Sequence, residues 1–106
     1  MTTKENTILI LGNVYDIIIE KGDIASQTKI SEVTKLDDSE IINALNYLKK
    51  TKMINGDTML SGEYIDINIT DIGIETRENK EKFKKIFGIE VGIPGIISAY
   101  WGAEEK

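Results

Sequence analysis

Apolar residues recur at helical spacing along the first third of the chain, and this pattern predicts two amphipathic helices. The first helix has its cap at Asn6 or Thr7 and stops at Gly22. The second follows an N-cap at Ser26 and carries its apolar stripe to Leu36. Each helix therefore has one face suited to a hydrophobic core.

A third helix is predicted where Asp37 and Glu40 have the spacing of a capping box. Its apolar stripe consists of Ile41, Ala44, Leu45 and Leu48. Lysines lie in or just after its last turn, where cations interact favourably with the helix dipole. These lysines are Lys49, Lys50 and Lys52.

Beyond the third helix the spacing of apolar residues changes from helical to alternating, which predicts a β-hairpin. Asn55-Gly56-Asp57 is a turn signal, Thr58-Met59-Leu60 fits a short strand, and Ser61-Gly62 fits a tight turn. From Tyr64 to Ile69 the alternation is strict. Its predicted buried face consists of Ile65, Ile67 and Ile69, and its exposed face of Tyr64, Asp66 and Asn68.

The last helix is predicted to open at Thr70 or Asp71 and to run to about Phe87. Its middle is almost entirely charged or polar, so we expect it to project from the body or to pack only through its ends. The segment that follows holds four of the nine glycines, the single proline and the single tryptophan. We therefore expect one domain at residues 6–87, followed by an apolar tail at residues 88–106.

The predicted fold class is mainly α with a small antiparallel β-hairpin (α+β), in the order α-α-α-β-β-α plus the apolar tail. Two stretches, Ile30–Ile54 and INITDIGIE at Ile67–Glu75, resemble the winged helix-turn-helix family of small archaeal and bacterial transcription regulators. The stretch Ile30–Ile54 resembles the family's two central helices. In the family, the first of these helices has the pattern I-x-x-x-T/L-x-L/I and is followed by a short turn. The second has the pattern S/D-x-x-I/V-x-x-A-L-x-x-L-x-x-x-x-L/M/I-I/V. The stretch Ile67–Glu75, INITDIGIE, is similar to the family's exit from the wing, I/L-T-x-x-G-I/L-E. The resemblance covers about residues 8–87.

This resemblance implies a transcriptional regulator whose partner is double-stranded DNA, with the third helix in the major groove and the wing against the backbone. The residues implied to read bases are Ser39, Glu40, Asn43, Asn46 and Tyr47. The residues implied to contact phosphates are Lys29, Lys35, Lys49, Lys50 and Lys52. Asparagine at positions 43 and 46 has the hydrogen-bonding groups to pair with adenine edges.

The composition argues against an enzyme. The chain has no Cys and no His, which removes thiol nucleophiles, thiolate metal sites and the commonest general base. The densest group of carboxylates, around Asp37, is accounted for by a helix cap. We therefore expect no catalytic residue, no cofactor and no metal site.

The distribution of charge opens an alternative to DNA binding. The chain carries 18 acidic and 13 basic residues, a net charge of −5, and residues 57–78 alone sum to −5 while residues 27–56 sum to +1. Carboxylates repel phosphate, and they stand where the family often has Arg or Lys, at Asp57, Glu63 and Asp66. The alternative is a winged helix that binds another protein and little or no DNA. Lysines 80, 82, 84 and 85 fit either a solvated helix face or a flank for DNA or an acidic partner.

The tail and the first helix supply a surface that completes the chain's own core or contacts a second subunit. Its residues are Ile17, Ile19, Phe87, Ile93, Ile96, Ile97, Tyr100 and Trp101. Small regulators of the resembled type usually dimerise through terminal helices, so we expect a homodimer. No stretch reaches the ~18 uncharged apolar residues of a membrane span, and the polar N-terminus is unlike a signal peptide. A cytoplasmic protein without membrane contact is the expectation.

Overall fold

The computed structural model describes residues 3–87 of the chain. Within this range the protein is mainly helical, with one two-stranded antiparallel sheet. The elements, in chain order, are α1 (Thr3–Tyr15), α2 (Gln27–Thr34), α3 (Asp38–Lys50), β1 (Ile54–Thr58), β2 (Tyr64–Ile69), α4 (Asp71–Glu78) and α5 (Lys80–Phe87). The predicted α+β class is confirmed.

One hydrophobic core joins these elements, and α1 packs mainly against α3 across it. The predicted apolar stripe of α3 is confirmed, because all four of its residues are fully buried. From α1 and the hairpin the core receives Ile8, Leu11, Val14, Met53, Ile54, Tyr64 and Ile67. The opposite face of α3 is left exposed by this arrangement.

The predicted caps of α2 and α3 are confirmed. Ser26 Oγ accepts a hydrogen bond from the Lys29 N–H at 3.3 Å. At α3, Asp37 Oδ1 accepts from the Glu40 N–H at 2.8 Å, and Glu40 Oε1 accepts from the Asp37 N–H at 3.1 Å. The α2 helix ends before Leu36, because Lys35 adopts a left-handed conformation with φ of 63°.

The predicted cap of α1 at Asn6 or Thr7 is wrong. The helix begins at Thr3, and both residues lie buried inside it. The chain continues past Tyr15 as one π-helical turn, Asp16–Glu20. The predicted stop is confirmed, since Gly22 has a φ of 64°, a conformation that favours glycine.

The α3 helix ends in a Schellman motif, in which backbone N–H groups satisfy the last carbonyls. The Met53 N–H donates to the Leu48 carbonyl at 2.9 Å, and the Lys52 N–H donates to the Lys49 carbonyl at 3.0 Å. Lys52 takes the left-handed position with a φ of 65°, where glycine is the usual residue. The motif turns the chain directly from α3 into β1.

The hairpin forms and its turn includes the predicted Ser61-Gly62, but its first strand lies earlier in the chain than predicted. Asn55-Gly56-Asp57 lies inside β1 rather than in a turn. Opposite it, β2 carries one extra residue, because Gly56 alone separates Asn55 from Asp57 while two residues separate their partners Asn68 and Ile65. The turn lies at residues 59–63, where the Met59 N–H donates to the Glu63 carbonyl at 2.9 Å. Glycine suits the position opposite the bulge because a Cβ at Gly56 would lie 3.2 Å from Tyr64 Cδ2.

The predicted alternation along β2 is confirmed at Asp66, Ile67 and Asn68 but is wrong at the first two residues of the strand. Tyr64 and Ile67 are buried, whereas Ile65 is 37% exposed. Asp66 between them has a φ of 50°, and this left-handed residue interrupts the two-residue period so that both buried side chains face the core. Ile67 also pairs with Ala25, whose carbonyl accepts the Ile67 N–H at 3.1 Å.

The junction between β2 and α4 is tightly packed. Thr70 Oγ1 accepts from the Gly73 N–H at 3.2 Å and donates to the Lys52 carbonyl at 2.6 Å. The Thr70 N–H donates to the Met53 carbonyl at 3.0 Å. The Thr-x-x-Gly of the INITDIGIE stretch therefore fixes the start of α4 against the end of α3.

The predicted single last helix is two helices. Asn79 adopts an extended conformation, with φ of −121° and ψ of 109°, and its Oδ1 caps α5 by accepting from the Lys82 N–H at 3.1 Å. This turn brings Phe83 into the core, where it is fully buried. The prediction that the polar middle projects or packs only through its ends fails, because the chain bends there.

Candidate nucleic-acid interface

One face of α3 is polar and exposed along its whole length. Its residues share helical spacing and lie opposite the buried stripe: Ser39, Asn43, Asn46, Tyr47 and Lys50. Four of the five predicted base-reading residues are in this set. We call these five residues the α3 face.

Glu40, the fifth predicted base-reading residue, is placed differently. It is half-buried, with Oε1 in the capping box and Oε2 accepting from Asn6 Nδ2 at 3.4 Å. Both carboxylate oxygens therefore have partners within the domain. Glu40 therefore stabilises the start of α3, and this structural role explains why a glutamate stands at this position.

Two residues of α3 are tied to the hairpin. The Tyr64 hydroxyl donates to Asn46 Oδ1 at 2.6 Å, and burial raises the pKa of that hydroxyl. Lys49 Nζ donates to the Gly56 carbonyl at 2.9 Å and lies 5.8 Å from the centroid of the Tyr64 ring. The orientation of the α3 face thus depends on contacts with both strands of the hairpin.

Sequence reasoning missed Gln27, which joins three elements. Its side chain is 4% exposed. Its Oε1 accepts from the Tyr64 N–H at 2.9 Å, and its Nε2 donates to Asp38 Oδ1 at 3.4 Å. Glutamine in a first helical turn carries no signal of such a role, because both partners are distant in sequence.

The predicted phosphate-contacting lysines differ in their surroundings. Lys35, Lys50 and Lys52 are exposed. Lys29 forms an ion pair with Asp23, with 2.6 Å between Nζ and Oδ2. The hydrogen bond from Lys29, together with one from the Ile24 N–H, holds the pKa of the Asp23 carboxyl below its usual value. Part of the positive charge near α2 is therefore already neutralised.

The far end of the hairpin combines exposed apolar groups with carboxylates. Leu60 is fully exposed and Met59 is 50% exposed. Asp57 and Asp66 are exposed, and Glu63 is half-exposed. This tip presents an apolar surface with a negative rim.

The predicted dimer surface is only partly an open surface. Ile17 and Phe87 are buried in the domain's own core, because the π-helical turn and α5 direct them inward. Ile19 is 43% exposed. The remaining predicted residues, Ile93, Ile96, Ile97, Tyr100 and Trp101, lie outside the described residues.

Tyr15 and Glu78 form a second contact that the sequence did not reveal. The Tyr15 hydroxyl donates to Glu78 Oε2 at 2.6 Å, and the Arg77 guanidinium lies 4.7 Å from the Tyr15 ring centroid. The hydrogen bond to Glu78, followed by burial, raises the pKa of Tyr15 to about 12. This contact fixes the end of α1 against the end of α4.

We expect stability to fall at alkaline pH because of this tyrosine. The unfolded chain loses the phenolic proton near pH 10, whereas the folded chain keeps it to about pH 12, so the contribution is complete below pH 10 and is lost as pH rises through 12. Urea midpoints across this interval measure the loss. Tyr15→Phe should flatten the dependence, and an equally steep decline in that variant would contradict the assignment.

Within residues 3–87 no three His, Cys, Asp or Glu side chains are grouped closely enough to hold a metal ion. In the same range, none of the helices has the length and apolar character needed to span a membrane. No protein-family model, curated protein or solved structure matches the chain.

Proposed function

We propose that α2, α3 and the β1–β2 hairpin form a winged helix-turn-helix that binds double-stranded DNA and regulates transcription, with α3 in the major groove. The α3 face carries this proposal, because it is a continuous exposed polar surface on a helix held by a buried stripe. The short connection from Thr34 to Asp38 and the adjacent hairpin match the expected arrangement of such a unit.

The α3 face offers both kinds of contact that DNA recognition uses. Asn43 supplies an amide donor and an acceptor for a base edge, and Ser39 supplies a hydroxyl. Exposed ammonium groups at Lys35, Lys50 and Lys52 are available for phosphates. The hairpin supplies no such charge, so α3 and the turns at its two ends carry the affinity.

Binding to a pool of random-sequence duplexes at low salt, followed by fluorescence polarisation, tests the proposal. Asn43→Ala/Lys50→Ala should weaken binding about tenfold, because it removes one base contact and one phosphate contact. Lys21→Ala/Asn68→Ala is the matched control, since it makes the same two changes at exposed positions off the α3 face. Absence of wild-type binding to any duplex at low ionic strength would overturn the function.

Asp23→Asn should raise DNA affinity about threefold at low salt. The change frees the Lys29 ammonium and removes one carboxylate, while Asn keeps the oxygen that accepts from the Ile24 N–H. Glu20→Gln changes the same charge at another exposed site. An equal gain in that control would show that net charge alone, and not the released lysine, is responsible.

The hairpin tip supports a second candidate, a winged helix that docks on a basic protein. The supporting observation is the fully exposed Leu60 beside a negative rim. Asp57→Lys/Glu63→Lys tests it; Asp66 is left unchanged, since its left-handed backbone favours Asp over Lys. If this variant no longer binds a basic protein that the wild type captures in a pull-down, protein docking is favoured. If the variant instead binds duplex DNA more tightly than the wild type, the carboxylates limit DNA binding.

We also propose a homodimer, which would place two copies of α3 on neighbouring half-sites. Of the described residues in the predicted dimer surface, Ile19 is the one that remains exposed. Sedimentation of the full chain and of Ile19→Lys measures this assembly. A monomeric wild type would overturn it.

A further inference from the structure

Asn46 is the residue of the α3 face whose amide is held by another side chain. Its side chain is exposed, yet its Oδ1 accepts a 2.6 Å hydrogen bond from the Tyr64 hydroxyl. Asn43, one turn earlier on the same face, is exposed with no such tether among the described residues. The two asparagines therefore differ in rotational freedom.

The Tyr64 hydroxyl is fixed in place and cannot follow a rotating amide. Tyr64 is 2% exposed, and its backbone N–H is bound by the buried Gln27 side chain at 2.9 Å. Gly56 also packs against the ring, so closely that a Cβ there would be 3.2 Å from Tyr64 Cδ2. The hydroxyl thus acts as a stationary donor beneath the α3 face.

An amide held through its oxygen points its nitrogen away from the holder. Asparagine that reads adenine needs its oxygen to accept from N6 and its nitrogen to donate to N7. In Asn46 the oxygen is directed to Tyr64, so the side chain presents its Nδ2 donors outward. Guanine presents two adjacent acceptors, N7 and O6, to such a donor group, whereas adenine (N7) and thymine (O4) present one each.

We propose that Tyr64 is a positioning residue for base recognition, which makes Asn46 a donor that selects guanine while Asn43 keeps the ability to read adenine. This inference rests on the proposed DNA-binding function. It also gives Tyr64, in the second strand of the wing, a part in specificity that does not require the wing itself to contact DNA.

Selection from a random-sequence duplex pool with the full-length chain tests the proposal. Asn46→Ala identifies the base position that depends on this residue, and the wild type should prefer guanine there by about tenfold. Tyr64→Phe keeps the ring but removes the donor, so it should abolish that preference while changing affinity for the unselected duplex pool less than twofold. The base position that depends on Asn43 should keep its preference.

The results that contradict the positioning role of Tyr64 differ from those that contradict DNA binding. An adenine preference at the Asn46 position, or a guanine preference retained in Tyr64→Phe, overturns the positioning role and leaves DNA binding intact. Failure of the wild type to enrich any duplex overturns DNA binding, and base reading with it. The NMR resonances of the Asn46 side-chain amide in the free protein provide a readout without DNA. They should show slowed rotation of the amide in the wild type and faster rotation in Tyr64→Phe. Identical amide spectra for the two proteins would contradict the hydrogen bond between Tyr64 and Asn46.

Discussion

Replacing Gly73 with alanine is expected to destabilise the domain by about 3 kcal/mol, one of the two largest effects that a single substitution should have here. A Cβ at this position would lie 2.2 Å from the Met53 carbonyl oxygen and 2.8 Å from Ile69 Cγ1. The Met53 oxygen belongs to the backbone and already accepts from the Thr70 N–H. Relief of the clash therefore requires α4 to move away from the end of α3.

Helix propensity predicts the opposite sign for this substitution. Gly73 lies within α4, where alanine is favoured over glycine by about 1 kcal/mol. The steric cost exceeds that gain because the obstructing atom is backbone and not the end of a flexible side chain. Packing against Met53 therefore decides the outcome.

Urea unfolding followed by circular dichroism measures the change in the free energy of unfolding. Gly22→Ala is the matched control, because Gly22 has a φ of 64° with no atom within 4 Å of an added Cβ. It should cost about 1 kcal/mol, from backbone conformation alone. A Gly73→Ala variant as stable as the wild type would show that α4 does not pack as described.

Phe83→Ala is expected to cost about 4 kcal/mol, the other large effect. Phe83 is fully buried, is among the largest buried side chains, and its ring centroid lies 5.3 Å from that of Phe87. Truncation leaves a cavity in the core and removes one member of the ring pair. The α5 helix should then lose its main attachment.

Thermal and urea unfolding again provide the measurement, with Lys85→Ala as the control on the exposed side of α5. The control should change stability by less than about 0.5 kcal/mol. A small effect of Phe83→Ala would mean that α5 is not part of the cooperative domain.

Local features of the fold were predictable from the sequence. The caps at Ser26 and Asp37 and the stripe of α3 depend on residues three or four apart, so spacing alone identifies them. The α3 face follows from the same periodicity, since it is the complement of the buried stripe. The stop at Gly22 follows from glycine's access to positive φ.

The errors come from contacts between distant residues. Asn55-Gly56-Asp57 has turn composition, but Gly56 packs against the Tyr64 ring within β1, opposite the bulge in β2. The left-handed Asp66 breaks an alternation that looked regular. The roles of Gln27 and of the Tyr15–Glu78 pair depend on partners 37 and 63 residues away, which no local pattern encodes.

Gln27 has a consequence for the response of the protein to ionic strength. By binding Asp38 at the start of α3 and Tyr64 in β2, it holds the hairpin carboxylates at a set distance from the α3 lysines. Added salt then screens two opposing interactions at once: the attraction of the lysines for DNA phosphates and the repulsion of those phosphates by the carboxylates. The logarithm of duplex affinity should therefore fall less steeply with the logarithm of salt concentration than the number of lysine–phosphate contacts alone would dictate.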